Sequence, residues 1–273
     1  MSAPTHVIMT RFNLATPGRE AAIRTDPDWL AVRFDLFRRY CLPSVAAQEG
    51  ASFRWLIFFD RDTPARWKAE IGRLRSIFPF DPYFTPLFPE DGWRDAVLGT
   101  IRPAGAMLLT TRLDNDDALA ADFCARVQAA ASGDAPVAIN LRHGLIRQGR
   151  AVHAIDHPRN AFFSLLERRD GRFRTAPAIP HMDLPRHAEV RQVGGAPGWL
   201  QLVHGGNVSN RLRGRRIDPA RTGARFGGEG LDGTAAPTAG ERAADAILGP
   251  IRAARDALSA MRRPGPGGAR RRE

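Results

Sequence analysis

The sequence predicts an α/β fold in which a mainly parallel, Rossmann-type central sheet carries helices on both faces. Three observations lead to this prediction. Short apolar runs alternate with stretches of helical periodicity, polar residues follow directly after the apolar runs, and 43% of the 273 residues are apolar. That apolar content is enough for one sizeable core. An order of strand, helix, strand, helix is typical of parallel sheets, in which helices make the crossover connections.

The first half of the chain supplies these elements in order. Apolar runs predict strands, and apolar residues at helical spacing predict helices. Pro43 is expected to bend the first helix, and Pro64 suits the first turn of the second. The predicted strands cover residues 6–10, 53–59, 83–88 and 106–113, and the predicted helices cover residues 29–48, 64–76, 93–101 and 118–131.

The second half adds a hairpin, a loop-rich segment and a last strand. Residues 136–141 and 145–155 are apolar runs, and the turn residues at 147–150 predict a hairpin. Residues 170–197 are rich in Pro, Gly and His and are expected to form loops over the site. Residues 199–204 form the last predicted strand.

The composition changes near residue 216, which predicts two parts of unequal character. We expect one domain over residues 1–215 and a flexible basic tail over residues 216–273, rich in Gly, Pro, Ala and Arg. One helix, over residues 243–261, is the order predicted within the tail. The last residues, 262–273, are expected to be disordered.

The formal charge of +11 brings nucleic acid and anionic membranes into consideration as partners. Residues 211–273 hold 14 Arg against 7 acidic residues, so most of the excess charge lies near the carboxyl terminus. The aromatic residues lie in apolar runs and do not alternate with basic ones, which argues against a nucleic-acid surface. We therefore expect no specific nucleic-acid partner, and a peripheral contact of the tail with an anionic membrane.

The expected location is the cytoplasm, with peripheral contact at the inner membrane. No run of about 18 apolar residues is present, as a membrane span would need. The first ten residues lack the basic and apolar regions of a secretory signal. Cys41 and Cys124 form no CxxC pair, which is in keeping with a reduced compartment.

The acidic cluster (residues 114–117, Asp-Asn-Asp-Asp) follows the apolar run at 106–113 and is the main candidate site. Hard cations such as Mg²⁺ and Mn²⁺ take oxygen ligands, and one or two carboxylates with phosphates and water complete their shell. The structural alternative is a helix cap, since Asp117 precedes the helix predicted from Ala118 and Asp is a favoured N-cap residue. Capping explains one aspartate and not three in four residues, because clustered carboxylates repel each other without a cation.

The wider pattern resembles the GT-A glycosyltransferases and, more closely, a bacterial family known as the putative rhamnosyl transferases. The resemblance covers residues 5–215 and depends on the order and spacing of several segments. These are Thr10-Arg11-Phe12-Asn13, Arg33 with Phe37, Tyr40-Cys41-Leu42-Pro43-Ser44-Val45, Phe53-x-Trp55, Arg112-Leu113-Asp114-x-Asp116-Asp117 and Trp199-Leu200-Gln201-x-Val203-His204-Gly205-Gly206-Asn207.

That resemblance implies a metal-assisted transfer of a sugar, rhamnose by the family name, from a nucleoside-diphosphate donor. The acceptor would be a glycan or a lipid-linked glycan. Asp114 and Asp116 match the metal motif, with Asp116 the stronger ligand for Mn²⁺ or Mg²⁺. His204 is expected to complete the metal shell or to bind the diphosphate. A histidine at a strand end is also often structural.

The donor-binding residues are assigned by the same resemblance. Asp60, at the end of the strand at 53–59, would lie near the base and ribose of the nucleotide, or else be a loop residue. Arg112 and Asp114 are expected to contact ribose, phosphate or metal, and Arg112 can also simply pair with the aspartates. Arg11, in the loop after the first strand, is a further nucleotide-binding candidate or a surface residue.

The catalytic base is expected in the later half of the chain, on the acceptor side. An inverting enzyme needs a carboxylate or histidine to deprotonate the acceptor hydroxyl. Asp183 and Asp156 are the predicted catalytic residues, and His157 and His181 remain alternatives because spacing does not choose among them. Inversion of a β-linked donor would give an α-linked product.

Features of this sequence would also suit two other functions. A charge-driven binding protein without catalysis would use the basic excess, and a nucleotidyltransferase would also use aspartates after a strand. The latter normally needs a Gly/Lys-rich phosphate loop near the first strand, and the sequence has none there. Residues 228–233 match G-x-G-x-x-G literally, but they follow no predicted strand, so we interpret the match as chance.

Overall fold

The computed structural model describes residues 3–14, 23–85, 92–133, 135–204 and 213–247. Within these ranges the strands are β1 (Thr5–Arg11), β2 (Arg54–Asp60), β3 (Asp81–Thr85), β4 (Met107–Asp114), β5 (Ala118–Leu119), β6 (Val137–Leu141), β7 (His143–Gln148), β8 (Ala151–Asp156), β9 (Ser164–Arg168), β10 (Glu189–Val193), β11 (Trp199–Leu202) and β12 (Arg215–Arg216). The helices are α1 (Pro27–Leu36), α2 (Leu42–Ala46), α3 (Ala65–Ile77), α4 (Gly92–Ala96) and α5 (Phe123–Ala130). π-Helical turns at Phe37–Cys41 and Val97–Ile101 extend α1 and α4, and short 3₁₀ turns occupy Ala176–Ala178, His181–Arg186 and Pro219–Arg221.

The larger sheet has seven strands in the order β10-β6-β9-β4-β1-β2-β3. Strands β4, β1, β2 and β3 run parallel, while β9 runs antiparallel to both β4 and β6. The register sets Arg11 opposite Asp114 on one side and opposite Phe58 on the other. The carboxyl ends of β4, β1 and β2 therefore lie together at one edge of the sheet, where open α/β sheets bind ligands.

Alternating side chains of β1 enter different cores, as period-two geometry requires. Ile8 packs with residues of the helices α1, α2, α3 and α5 on one face. Val7 and Met9 pack with α4 and its π-helical extension on the other. Each of these three side chains is at most 1% exposed, and burial of such a side chain stabilises the fold by about 1.5–3 kcal/mol. The predicted fold class, a mainly parallel sheet with helices on both faces, is confirmed.

The helix predicted over residues 29–48 is one continuous helical segment with a π-helical turn in its middle. Its first residue follows Asp26, whose carboxylate accepts hydrogen bonds from the backbone N–H groups of Asp28 and Trp29. The predicted bend at Pro43 takes the form of the turn Phe37–Cys41, in which the N–H of Leu42 reaches the carbonyl of Phe37. Pro43 has no N–H, so the Arg39 carbonyl is left to accept a bond from Glu229 N, at 2.9 Å.

The helix predicted from Ala118 to residue 131 begins later than expected, and the capping role of Asp117 is wrong. Ala118 and Leu119 form the short strand β5, which pairs antiparallel with Leu200 and Trp199 of β11. The helix α5 starts only at Phe123. Two residues are too short a strand to give a periodic signal, so the long-range pairing with β11 outweighed the local helical pattern.

The smaller sheet has the order β12-β8-β7-β11-β5. Its hairpin β7–β8 confirms the predicted one, with Gly149 in the turn at a φ of 55°. Strand β11 adds to β7 in parallel and sets Trp199 opposite Gly144. The Trp199 ring covers Gly144 so closely that a Cβ on this glycine would lie 2.1 Å from a ring carbon. This packing fixes β11, which leads directly to His204.

The segment 170–197, predicted as loops, contains two 3₁₀ turns and the strand β10. This strand pairs in parallel with β6, setting Glu189 opposite Val137. The prediction of loops throughout is therefore wrong for residues 189–193. Polar and apolar residues do not alternate along this edge strand, so the sequence pattern did not indicate a strand there.

Part of the predicted tail packs against the domain. Phe226 and Leu231 lie against a core cluster that includes Tyr40 and Leu200. Arg39 donates two hydrogen bonds to one carboxylate oxygen of Glu229, at 2.8 and 2.9 Å. The glycines at 227 and 228, including one from the G-x-G-x-x-G match, allow this segment to approach the backbone of Pro43 and Arg39. Residues 239–247 are helical, which agrees with the start of the helix predicted at 243–261, and the remainder of that helix lies outside the described residues, as do Gly205, Gly206 and Asn207 of the family pattern.

In the described part of the chain, no helix is both long enough and apolar enough to cross a membrane.

Candidate active site

The candidate site lies at the carboxyl edge of the larger sheet, where β4 and β1 end side by side. Asp114 is the last residue of β4 and Arg11 the last of β1. The side-chain amide of Asn115 donates to the carbonyls of Arg11 and Phe12, at 3.0 and 2.8 Å. Asn115 therefore ties the acidic cluster to the loop after β1. The sequence placed these residues near each other through the parallel order of the strands.

Asp114 is surrounded by positive charge. The Arg112 guanidinium donates to both of its carboxylate oxygens, at 3.1 and 3.3 Å. Burial by itself would raise the pKa of Asp114, but the charges of Arg112, Arg11 and Arg33 outweigh it and lower that pKa below its usual value. Asp114 is thus an anion in the folded protein. The predicted pairing of Arg112 with the aspartates is present.

Asp116 brings together residues from three distant parts of the chain. Its Oδ2 atom accepts a hydrogen bond from Arg33 Nη1 at 2.7 Å and lies 3.0 Å from His204 Nε2. Arg33 comes from α1, and His204 follows the end of β11. The sequence predicted Asp114, Asp116 and His204 as metal ligands, and the structure brings the last two together. The sequence named Arg33 as part of a family pattern without giving it a role.

Asp117 links the acidic cluster to β11. Its side chain is buried, and its Oδ1 accepts the backbone N–H of Leu202 at 2.9 Å. Burial raises the pKa of Asp117 well above its ordinary value, and the negative charges of Asp116 and Asp114 raise it further. Asp117 therefore positions the strand that carries His204.

Asp60 ends β2 at the same edge, but its carboxylate is completely buried. One oxygen accepts a bond from Arg24 Nε at 2.5 Å, and the other accepts the backbone N–H of Asp62 at 2.7 Å. Asn13 accepts the Asp60 backbone N–H and donates to Thr63. These bonds organise the loop after β2. Contact of Asp60 with a nucleoside remains a prediction and would require Arg24 to move.

The predicted catalytic residues occupy different surroundings. Asp156 forms a two-pronged ion pair with Arg142, with distances of 2.7 and 2.5 Å. The hydrogen bonds from Arg142 lower the pKa of Asp156. Asp183 lies in the 3₁₀ turn His181–Arg186 and accepts a bond from Arg186 at 3.0 Å. Both carboxylates are thus engaged by exposed arginines.

Of the two histidine alternatives, His181 interacts electrostatically with Arg112 and Asp114. The rings of His181 and His157 are 6.4 Å apart. Burial, followed by the charge of Arg112, lowers the pKa of His181 to about 4, while the charge of Asp114 opposes the change. His181 therefore lies within the electrostatic reach of the Asp114–Arg112 pair. It is neutral at pH 7 and can accept a proton.

The donor atoms at Asp116 and His204 suit a divalent cation. Two ligand atoms that share an octahedral ion at about 2.1 Å lie about 3 Å apart, which is the separation of Asp116 Oδ2 and His204 Nε2. Carboxylate and imidazole are both ligands of Mn²⁺, and carboxylates are ligands of Mg²⁺. Within the described ranges, no three His, Cys, Asp or Glu side chains converge as a complete metal cluster.

An α/β domain with acidic and basic groups at the carboxyl edge of its parallel strands belongs to the broad class that binds ligands at that edge. The family model described as "Putative rhamnosyl transferase" matches residues 5–216, and the chain belongs to that family. The description of that family is of a glycosyl-transferring enzyme, which is the class of activity that the sequence predicted.

Two further comparisons complete this result. No curated protein matches the chain. Among solved structures, the crystal structure of S. aureus TarS is similar at 9% sequence identity with a TM-score of 0.43. The match covers 73% of this chain and 37% of the TarS chain, so this chain spans little more than a third of that protein.

Proposed function

We propose that the protein transfers a sugar from a nucleoside-diphosphate donor to a glycan or lipid-linked acceptor, with a divalent cation at Asp116 and His204. The observation that carries the proposal is the 3.0 Å approach of His204 Nε2 to Asp116 Oδ2 at the carboxyl end of β4. These two residues are 88 positions apart in the sequence. A carboxylate and an imidazole that lie together beside a second carboxylate, Asp114, fit the predicted GT-A-like site.

The cation would act as a Lewis acid on the diphosphate oxygens as the glycosidic bond breaks. Arg112 and Arg11 flank Asp114 and add positive charge on the donor side. Guanidinium groups suit phosphate oxygens because their N–H groups form a planar fork. We propose that these arginines orient the diphosphate, while Asp116 and His204 hold the cation.

Rhamnose is the proposed sugar, because the family is one of rhamnosyl transferases. A dTDP-linked donor and inversion at the anomeric carbon are part of the same proposal. For the base we favour His181 over the predicted Asp156 and Asp183, since Arg142 and Arg186 hold those carboxylates as ion pairs. A pKa of about 4 makes His181 a weak base, and the negative charge of a bound diphosphate would raise that pKa toward the useful range.

Calorimetry with dTDP, UDP and GDP, each with and without Mn²⁺, tests the proposal. We expect one nucleotide to bind with Mn²⁺ and to lose most of its affinity in the Asp116→Asn variant. Asp122→Asn is the matched control, because Asp122 is an exposed aspartate outside the acidic cluster that pairs only with Arg126 among the described residues. Absence of binding by all three nucleotides would overturn the proposal.

Peripheral membrane contact through the carboxyl-terminal residues is a separate part of the proposal. Residues 248–273 hold seven Arg against two acidic residues. Polybasic segments bind anionic membranes by charge, with about 1 kcal/mol for each basic residue near the surface. Because Phe226 and Leu231 pack against the core, the truncation must begin at residue 248 and not at residue 217.

Flotation with vesicles that contain 30% anionic lipid, on the order of a cytoplasmic leaflet, measures this contact. The protein that ends at Ile247 should lose vesicle binding and keep its nucleotide affinity. Equal binding of both proteins to the anionic vesicles would contradict the role of the basic segment.

A further inference from the structure

Arg33 is a buried cation whose partner is the proposed metal ligand. Its side chain is 10% exposed and that of Asp116 is 9% exposed. Nη1 of Arg33 donates to Asp116 Oδ2 at 2.7 Å and also to Asn115 Oδ1 at 3.3 Å. A buried arginine is stable only with such partners, because the desolvation of a charge is costly. In the protein without bound ligands, the guanidinium therefore offsets the charge of the Asp116 carboxylate.

The position of Arg33 is set by the packing of α1. Leu30 and Phe34, three positions before it and one after, are completely buried in the core. The guanidinium lies over the ring of Trp29, 5.1 Å from its centroid. Because the helix is anchored on both sides of Arg33, its guanidinium has little freedom to leave the acidic cluster.

The oxygen that Arg33 occupies is the one nearest to His204. Arg33 Nη1 and His204 Nε2 both approach Asp116 Oδ2 and not the second carboxylate oxygen. A divalent cation bound between Asp116 and His204 would share this oxygen with a guanidinium a few ångströms away. Like charges at that distance repel strongly in a partly buried site.

A diphosphate changes this balance. Its negative charges attract both the cation and the guanidinium, and arginine recognises phosphate oxygens through its planar fork. We propose that Arg33 couples the two ligands: it disfavours a divalent cation at Asp116 in the absence of nucleotide, and the negative charge of a bound diphosphate offsets this repulsion. This inference rests on the proposed function and makes Arg33 a positioning residue for the metal and the leaving group.

The coupling is measurable without any transfer reaction. The affinity for Mn²⁺, read from the electron paramagnetic resonance signal of the free ion, is determined with and without saturating dTDP, UDP or GDP. Coupling free energies between two sites commonly correspond to factors of about 5–150. We expect nucleotide to tighten Mn²⁺ binding by a factor on the order of 50 in the unmodified protein. Linkage requires Mn²⁺ to tighten nucleotide binding by the same factor, which is an internal check.

Arg33→Gln keeps a hydrogen-bond donor for Asp116 and removes the charge. We expect this variant to bind Mn²⁺ more tightly without nucleotide and to show a coupling factor several-fold smaller than that of the unmodified protein, with the direct contact between cation and diphosphate supplying the remainder. Arg33→Lys keeps the charge and should retain most of the coupling. Arg38→Gln is the matched control, because Arg38 lies on the same helical segment and pairs with Glu70.

The outcomes separate this inference from the proposed function. If no nucleotide binds with or without Mn²⁺, the proposed function fails. If nucleotide and Mn²⁺ bind but the unmodified protein shows no coupling, or Arg33→Gln keeps the full factor, only the role of Arg33 fails. Absence of coupling in the unmodified protein overturns the inference even if Arg33→Gln does not fold.

Discussion

His6 is a buried histidine that should make the stability of the protein depend on pH. It lies on β1 and is 2% exposed. Nδ1 accepts a hydrogen bond from the Gln128 side-chain amide at 3.0 Å, and Nε2 lies 2.8 Å from Thr111 Oγ1. The same Gln128 amide nitrogen donates to the Ser52 carbonyl, at 2.9 Å. Gln128 therefore presents its donor side to the ring, and His6 carries its proton on Nε2.

A second proton, on Nδ1, would face the amide N–H of Gln128, and the charged ring would lack the hydration that it has in water. Burial lowers the pKa of His6 to about 3 from the ordinary 6.5. As pH falls below 6.5, the unfolded chain takes up a proton at this position and the folded protein does not. The contribution of His6 to the free energy of unfolding is therefore fully present at neutral pH and is lost progressively as pH falls. Between pH 7 and pH 5 the loss from His6 is about 2 kcal/mol, by linkage.

Urea denaturation at pH 7 and pH 5 measures this loss, with His6→Gln as the comparison. Subtracting the pH effect of the variant from that of the unmodified protein removes the contribution of the other histidines. We expect a difference of about 2 kcal/mol. In Gln128→Glu, a carboxylate faces Nδ1 and favours the protonated ring, so the pH effect should be smaller than in the unmodified protein. A His6 contribution below about 0.5 kcal/mol would refute the reasoning, because His6 would then be protonated within the fold.

Two further predictions concern residues that hold the site together. Asp117→Ala should lower the free energy of unfolding by about 1–3 kcal/mol because it removes the side-chain acceptor of the buried Leu202 N–H. Asp117→Asn keeps an acceptor oxygen and should cost clearly less. Equal losses of the two variants in urea denaturation would contradict the role of this hydrogen bond. Gly144→Ala should lower the free energy of unfolding by about 3 kcal/mol or more because the new Cβ would lie 2.1 Å from the Trp199 ring. The control is Gly72→Ala on α3, where no atom lies within 4 Å of the new Cβ. This control should raise the free energy of unfolding by about 0.5–1 kcal/mol. A thermal melt of Gly144→Ala equal to that of the unmodified protein would show that β11 shifts freely.

Local patterns in the sequence were sufficient for much of the central sheet. The apolar runs that became β1, β2 and β4 are buried on both faces, which makes a strand in a parallel sheet recognisable as a continuous apolar segment. Their parallel order then predicted that residues after each strand end lie at one edge. This reasoning brought Arg11 and Asp114 together correctly.

Other features were beyond local patterns. The strand β5 has two residues and owes its existence to pairing with β11, 80 positions later. Asp117 was therefore assigned to a cap of a helix that starts only at Phe123. The packing of Phe226 and Leu231 against the core was missed because Gly, Pro and Arg dominate the composition around them and conceal isolated apolar anchors.

The sequence by itself determined that three carboxylates follow a buried strand, and the family that it resembles is confirmed by the match over residues 5–216. Only the tertiary structure decided the separate roles of those carboxylates. Asp114 pairs with Arg112 on its own strand, Asp116 with Arg33 and His204, and Asp117 with the backbone of β11. The physical reason is that charge partners of buried groups are chosen by the packing of whole elements, and α1 and β11 reach this edge of the sheet from opposite ends of the chain.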